Sequence, residues 1–301
     1  MKALRTVALS AALLATQEPA FAGRTCEQRQ PEAVNVQRSL DLALRTARRL
    51  DDSGAQVVIL ARAGQDLSRW QLRWSHLGYA YRETAAGGWR EGEQGPAVWR
   101  EGREGPAVWR EGREGPAVWR EGREGPAVWR VVHKLNACGS ARGDLYRQGL
   151  GEFFMDDLHD YQAAWVVPNA DIQARLLPLL RDNQRIDHLH TPAYNMVAYP
   201  WSQRYQQSNQ WALETLAMAM EPGANTRERA QAWLQFRGYE PTVLRIDALK
   251  RLGARMGSSH IAFDDHPNGK RFADRIETVT VDSVFDWLQR EGMAQPVQVL
   301  R

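Results

Sequence analysis

Apolar positions in residues 33–51 recur as Leu40, Leu44, Ala47 and Leu50, the spacing of one helix face. Asp51, Asp52, Ser53 and Gly54 end that helix. Gln56 to Ala61 holds an unbroken Val-Val-Ile-Leu run, which predicts a buried strand. Ser75 to Arg82 alternates, with Leu77, Tyr79 and Tyr81 on one face and His76, Gly78 and Ala80 on the other. Val128 to Leu135 predicts a further strand, and so does the apolar stretch Ala163 to Val167, which stops at Pro168.

A helix is expected over 169–181. Pro192 to Pro200 reads as extended. Ser208 opens a helix through Met220 that Pro222-Gly223 stops. Helices follow over 226–237 and, basic and amphipathic, over 244–256. Ile276 to Val281 alternates as a strand, and 282–291 is the last helix. Strands and helices mixed without a strict βαβ rhythm predict an α+β fold rather than a doubly wound sheet.

One segment breaks the pattern. A ten-residue unit starts at Trp89 as WREGEQGPAV and recurs as WREGREGPAV through residue 128. Solenoid repeats are longer and need an apolar face to stack. This unit offers only Ala, Val and Trp and contains a Gly-Pro break. It reads as an insertion into a connection between strands 75–82 and 129–135, tolerated because loop-closure entropy grows slowly with length. The alternative is an arm presenting Trp and Arg to a ligand.

The N-terminus carries a separate signal. Lys2 and Arg5 precede an apolar run from Val7 to Leu14, and Ala20-Phe21-Ala22 has the small-residue pattern of a cleavage site. These are the parts of a secretory signal peptide, residues 1–22, with the mature chain starting near Gly23. The run is far shorter than the roughly 20 residues of a spanning helix. Arg24 stands where a lipoprotein anchor before Cys26 would need a small residue. The remaining 23–301 is expected to be a single domain in the periplasm or outside the cell, with no integral membrane segment.

In an oxidising compartment the two cysteines, Cys26 and Cys138, pair by default as a disulfide. The formal charge of +3 falls to +2 once Lys2, Arg5 and Glu18 are removed. Such a small excess gives no argument for nucleic acid. No residue pattern asks for a cofactor.

Four places could carry chemistry. His76 lies in Ser-His-Leu-Gly, where a glycine lets backbone or ligand come close; it could equally be a half-buried histidine with a hydrogen-bond partner. His133 or Asn136, on the next strand, could orient His76, as a general base requires; His133 could also be an ordinary polar residue on a solvated face. Ser208, with Asn209 beside it, falls at a helix start, where the dipole favours an anion; serine is also a favoured N-cap with no chemistry at all. Asp264, Asp265 and His266 could ligate a metal, against a polar turn as the plain alternative.

The segments WSHLGYAYR, WRVVHKLNACG, DLYRQGLGEFFMDD, YNMVAYPWSQRYQQSNQWALE and FDDHPNGKR, in this order, resemble the bacterial domain of unknown function 2145 family. That family carries no assigned activity, so the resemblance implies a shared fold more than a chemistry. More distantly, Ser-His-x-Gly on a strand, followed by a nucleophile at a helix start, is similar to circularly permuted papain-like envelope hydrolases. The resemblance implies an antiparallel sheet packed with helices, His76 as base, His133 or Asn136 as orienting residue, and a nucleophile at or near Ser208-Asn209. The cysteine of that group has no counterpart here.

Two functions follow as expectations. One is a non-catalytic envelope protein that uses the cleft for binding or assembly, with a cell-envelope component as partner. The other is an envelope amide or ester hydrolase, or acyltransferase, using Ser208, His76 and His133.

Overall fold

The computed structural model describes residues 32–83, 128–137, 140–156 and 158–301. The expected signal peptide, the Cys26–Cys138 bridge and the decapeptide repeat up to residue 127 lie outside the described residues.

The fold is α+β, built on a six-stranded sheet. The Val-Val-Ile-Leu run becomes β1 (Val57–Ala63), buried at every position. Such a strand must be covered on both faces, and it sits inside the sheet, next to β2 (His76–Glu83) and β5 (Asp160–Val166). Beyond β2 come β3 (Val128–Asn136) and β4 (Gly143–Gly149); beyond β5 comes β8 (Gln298–Leu300). The order is β4-β3-β2-β1-β5-β8, with every pairing antiparallel.

Alternation along the strands makes two cores. Val58, Leu60, Ala80 and Val131 face α1 (Ala33–Asp52) and α2 (Leu150–Phe154). Ile59, Leu77, Tyr79 and Val132 face α3 (Ala170–Arg181) and α5 (Ser208–Met220). Short α4 (Asn183–Asp187) and α6 (Arg227–Phe236) extend the second side. A small lobe carries the pair β6 (Thr242–Arg245) and β7 (Arg275–Thr278), with α7 (Ala248–Gly257) and α8 (Asn268–Phe272) around Leu244, Ile246, Ile261, Phe263 and Ile276. Helix α9 (Val281–Arg290) returns to the main core through Val284, Phe285, Trp287 and Leu288.

The expected elements are present, with local differences. The basic helix starts at Ala248, not 244, because the Asp247 carboxylate accepts the Lys250 N–H and caps it; Thr242–Arg245 forms β6 instead. The last strand stops at Thr278, because Thr280 caps α9 with a reciprocal bond to Ser283. Strand β4 was hidden by its polar sequence, Gly-Asp-Leu-Tyr-Arg-Gln-Gly: as an edge strand it buries only Gly143 and Leu145. Among the described residues no helix is long and apolar enough to cross a membrane.

Candidate functional site

The parity of β2 sends His76 toward α2, and that of β3 sends His133 to the same side. The fit depends on Gly78. A Cβ there would lie 2.8 Å from Val131 Cγ1 and 3.2 Å from His133 Cβ, so only glycine lets β3 and the Phe153 ring close over this spot. His76 Nε2 then meets His133 Nδ1 at 2.8 Å, and His133 Nε2 meets Gln148 Oε1 at 2.8 Å. With Gln148 Oε1 accepting from His133 Nε2, His133 Nδ1 accepts from His76 Nε2. The acceptor nitrogen left over is His76 Nδ1, which has no hydrogen-bond partner among the described residues.

Both rings are held neutral at pH 7. Burial pushes His76 well below the usual histidine range, helped by the Arg62 guanidinium and by His133. Burial and Arg62 bring His133 down to about 3, against the opposing Gln148 bond. Arg62 itself is anchored to the Phe153 carbonyl and the Asp156 carboxylate.

The N-terminus of α5 reaches the same end of the sheet from the other face. Gln207, not Ser208, is the N-cap: its Oε1 accepts the Asn209 N–H at 3.1 Å, while its amide donates to Thr278 Oγ1 and the Val279 carbonyl. Ser208 is the first helical residue, nearly buried, with the Tyr194 hydroxyl as its neighbour. Asn209 Oδ1 accepts the Leu77 N–H at 2.9 Å, which ties the helix to the residue beside His76. Leu77 packs in the α5 core and His76 on the α2 side. Ser208 and His76 therefore come to the cleft from opposite faces, and no hydrogen bond joins them among the described residues. Asn136 ends β3 opposite Gly143 and also lines the cleft.

The same QQSNQWALE segment builds a buried polar hub that its sequence did not reveal. Glu214 accepts from Arg227 Nε at 2.9 Å, from Gln206 at 2.6 Å and from Gln231 at 2.6 Å. Lys134, on β3 and fully buried, donates to Gln206 Oε1 and the Thr191 carbonyl. Burial, with Arg227 close by, pushes its ammonium well below the usual lysine range. Gly143 leaves room for this side chain: a Cβ there would stand 2.9 Å from Lys134 Cε. The i, i+4 spacing of Gln210 and Glu214 was a legible sign of a polar helix face; that the face is internal was not.

Asp264, Asp265 and His266 do not assemble as metal ligands. Asp264 pairs with Arg204 at 3.0 Å. Asp265 accepts the Tyr199 N–H and contacts His266 Nδ1 at 3.1 Å, and His266 Nε2 donates to the Glu277 carbonyl. With both ring nitrogens engaged within the fold, the cluster is a tie between loop and lobe. Among the described residues no group of three or more candidate ligands converges.

His76, Ser208, Asn209 and Asn136 border a cleft of about 1380 Å³ between the sheet end and the small lobe, with α7 as one lip. Its volume exceeds the roughly 300–1,000 Å³ of an ordinary small-molecule pocket, and its walls mix apolar side chains with polar and charged ones. No curated protein and no solved structure matches the chain. The pattern of the family described as an uncharacterized protein conserved in bacteria (DUF2145) matches residues 49–93 and 113–288, most of the chain, and the protein belongs to that family.

Proposed function

We propose that this chain is an exported, non-catalytic binding protein of the bacterial cell envelope, and that the cleft beside His76 holds its ligand. The observation that supports this most is the way the polar groups are engaged. His76 Nε2 is bonded to His133, Asn209 to the Leu77 backbone, and Ser208 to no histidine among the described residues. A serine nucleophile needs a general base within hydrogen-bond reach. The N-terminal pattern supports export, and an oxidising compartment supports the Cys26–Cys138 bridge.

Labelling of the full chain by a serine-reactive fluorophosphonate tests the proposal, with Ser208→Ala and His76→Ala as controls. No labelling is expected. Labelling abolished by both substitutions would overturn it. Export is checked by the N-terminal sequence of the periplasmic form, expected to begin at or near Gly23.

One observation favours a second function, an envelope amide or ester hydrolase or acyltransferase on a permuted papain-like scaffold. His76 is oriented by His133, which is oriented in turn by Gln148, as a base-orienting chain is built. The tautomer leaves His76 Nδ1 as acceptor, the form a base requires. A loss of labelling confined to these substitutions would select this function.

A further inference from the structure

The binding function leaves the ligand's chemistry open, and helix α7 speaks to it. Leu249, Leu252 and Met256 fall at i, i+3 and i+7 of α7, one face of a helix. All three line the cleft. They nevertheless remain 79 %, 56 % and 80 % exposed, so this face is left largely uncovered by the described residues. Trp70, Leu72 and Val197, packed against the core of the small lobe, add apolar surface to the same cleft. The unbranched Met256 side chain adapts to a flexible guest.

Among the residues that line the cleft, cations outnumber carboxylates. Arg62, Arg69, Arg245 and Lys250 line it, against Asp156 as the carboxylate among the lining residues. Asp156 is paired with Arg62, and Lys250 with the cap residue Asp247. Arg69 lies over the Trp70 ring at 3.6 Å with the Asp66 carboxylate close by, and Arg245 sits on β6 across from Arg275, which leaves Arg245 with no ion pair to a carboxylate among the described residues. The two histidines that line the cleft, His76 and His260, bring no negative charge.

Resting on the binding function above, we infer that the cleft takes a long acyl chain with an anionic head. The methylenes lie along Leu249, Leu252 and Met256, and the head group, a carboxylate or a phosphate, lies among the arginines. Apolar walls reward chain length, and the cationic excess selects the sign of the head.

Calorimetric titration of the full chain at low salt tests this, with each amphiphile below its aggregation concentration. Dodecanoate and dodecyl phosphate are expected to bind, and the preferred one identifies the source of the head group. Octanoate should bind more than tenfold more weakly than dodecanoate, since each buried methylene is worth roughly 0.8 kcal/mol. Dodecanol should bind more weakly and dodecyltrimethylammonium not at all. The double variant Leu249→Gln, Leu252→Gln should weaken every ligand. Arg245→Gln with Arg69→Gln should weaken the anions and leave dodecanol unchanged. Both pairs are on the exposed rim, and circular dichroism confirms that they fold.

Affinity indifferent to chain length, to head charge or to both variants would overturn the inference. So would binding to phosphatidylglycerol vesicles without binding to the monomeric anions, which would make α7 a surface-docking helix. So would binding of an apolar peptide in place of the amphiphiles. In a chain that the fluorophosphonate leaves unlabelled, such a result removes the ligand class and keeps the binding function. Specific labelling at Ser208 removes the binding function whatever the amphiphiles do.

Discussion

His76 Nε2 and His133 Nδ1 meet at 2.8 Å beneath the Phe153 ring, and the bond lasts only while His133 stays neutral. Gln148 already takes the hydrogen on His133 Nε2, so protonating His133 would turn its acceptor nitrogen into a second donor facing His76. Protonating His76 would place a buried cation near Arg62. The two rings thus act as one unit joining β2, β3 and β4.

This pair makes stability fall with acid. Both folded-state values lie below the unfolded value of about 6.5, so below that pH the unfolded chain binds more protons. The stabilisation is fully present above about pH 6.5 and declines as pH drops toward 3. Each such histidine contributes a slope of up to about 1.4 kcal/mol per pH unit. Urea unfolding between pH 7 and pH 4 should show this decline, and His133→Gln should flatten it. A slope unchanged in that variant would count against the account.

Gly78→Ala should destabilise the chain by about 1–3 kcal/mol, the cost of overpacking a core, because the new methyl meets Val131, His133 and Phe153. Gly269→Ala, inside α8, where the added carbon meets nothing within 4 Å, is the control and should be near neutral or slightly stabilising. Thermal melts of the two variants make the comparison.

Glu214→Ala should cost about 3–5 kcal/mol, because it leaves the Arg227 guanidinium buried without its carboxylate and takes away one of the two carboxylates near Lys134. Adding Arg227→Met should recover part of that loss. A double variant as unstable as the sum of the single ones would mean that the two side chains do not act as a pair. Denaturant midpoints measure each term.

Joining Gly88 directly to Trp129 should leave a folded protein with a melting temperature close to the parent's. The deletion removes Val128, opposite Glu83, but keeps the β2–β3 pairs from Tyr79 opposite Val132 to Arg82 opposite Trp129, so the core of the ladder is complete without the repeat. The family pattern also passes over residues 94–112, inside it. An unfolded deletion variant would make the repeat part of the fold.

Under the proposed export, alkylation before reduction should leave Cys26 and Cys138 unmodified, and alkylation after reduction should label both. Two modified thiols in the native protein would exclude the bridge. Reduction should lower stability by roughly 2–4 kcal/mol, the usual worth of a disulfide.

Much of the frame was legible from local sequence. The Val-Val-Ile-Leu run can be satisfied only by a strand covered on both faces, and β1 is that strand. The alternation of residues 75–82 placed His76 and Gly78 on one face, and the strand boundaries made β3 the neighbour that brings His133 to His76. Strand β4 and the three-residue β8 were not legible, because an edge strand with half its side chains in water carries little hydrophobic period.

What the sequence by itself determined is the main helices and the interior strands β1, β2, β3 and β5, with the face of β2 that His76 and Gly78 share, since these depend on short-range period and capping. What only the tertiary structure decided is which polar residues are inside. Gln206, Asn209, Gln210 and Glu214 are polar in sequence, yet they are buried, because partners from β2, β3, α6 and the loop before α5 arrive from 8 to 132 residues away. Ser208 and His76, matched as a pair by pattern, reach the cleft from opposite faces of the sheet. A one-residue parity sets that relation: Leu77 takes the α5 side, so His76 must take the other.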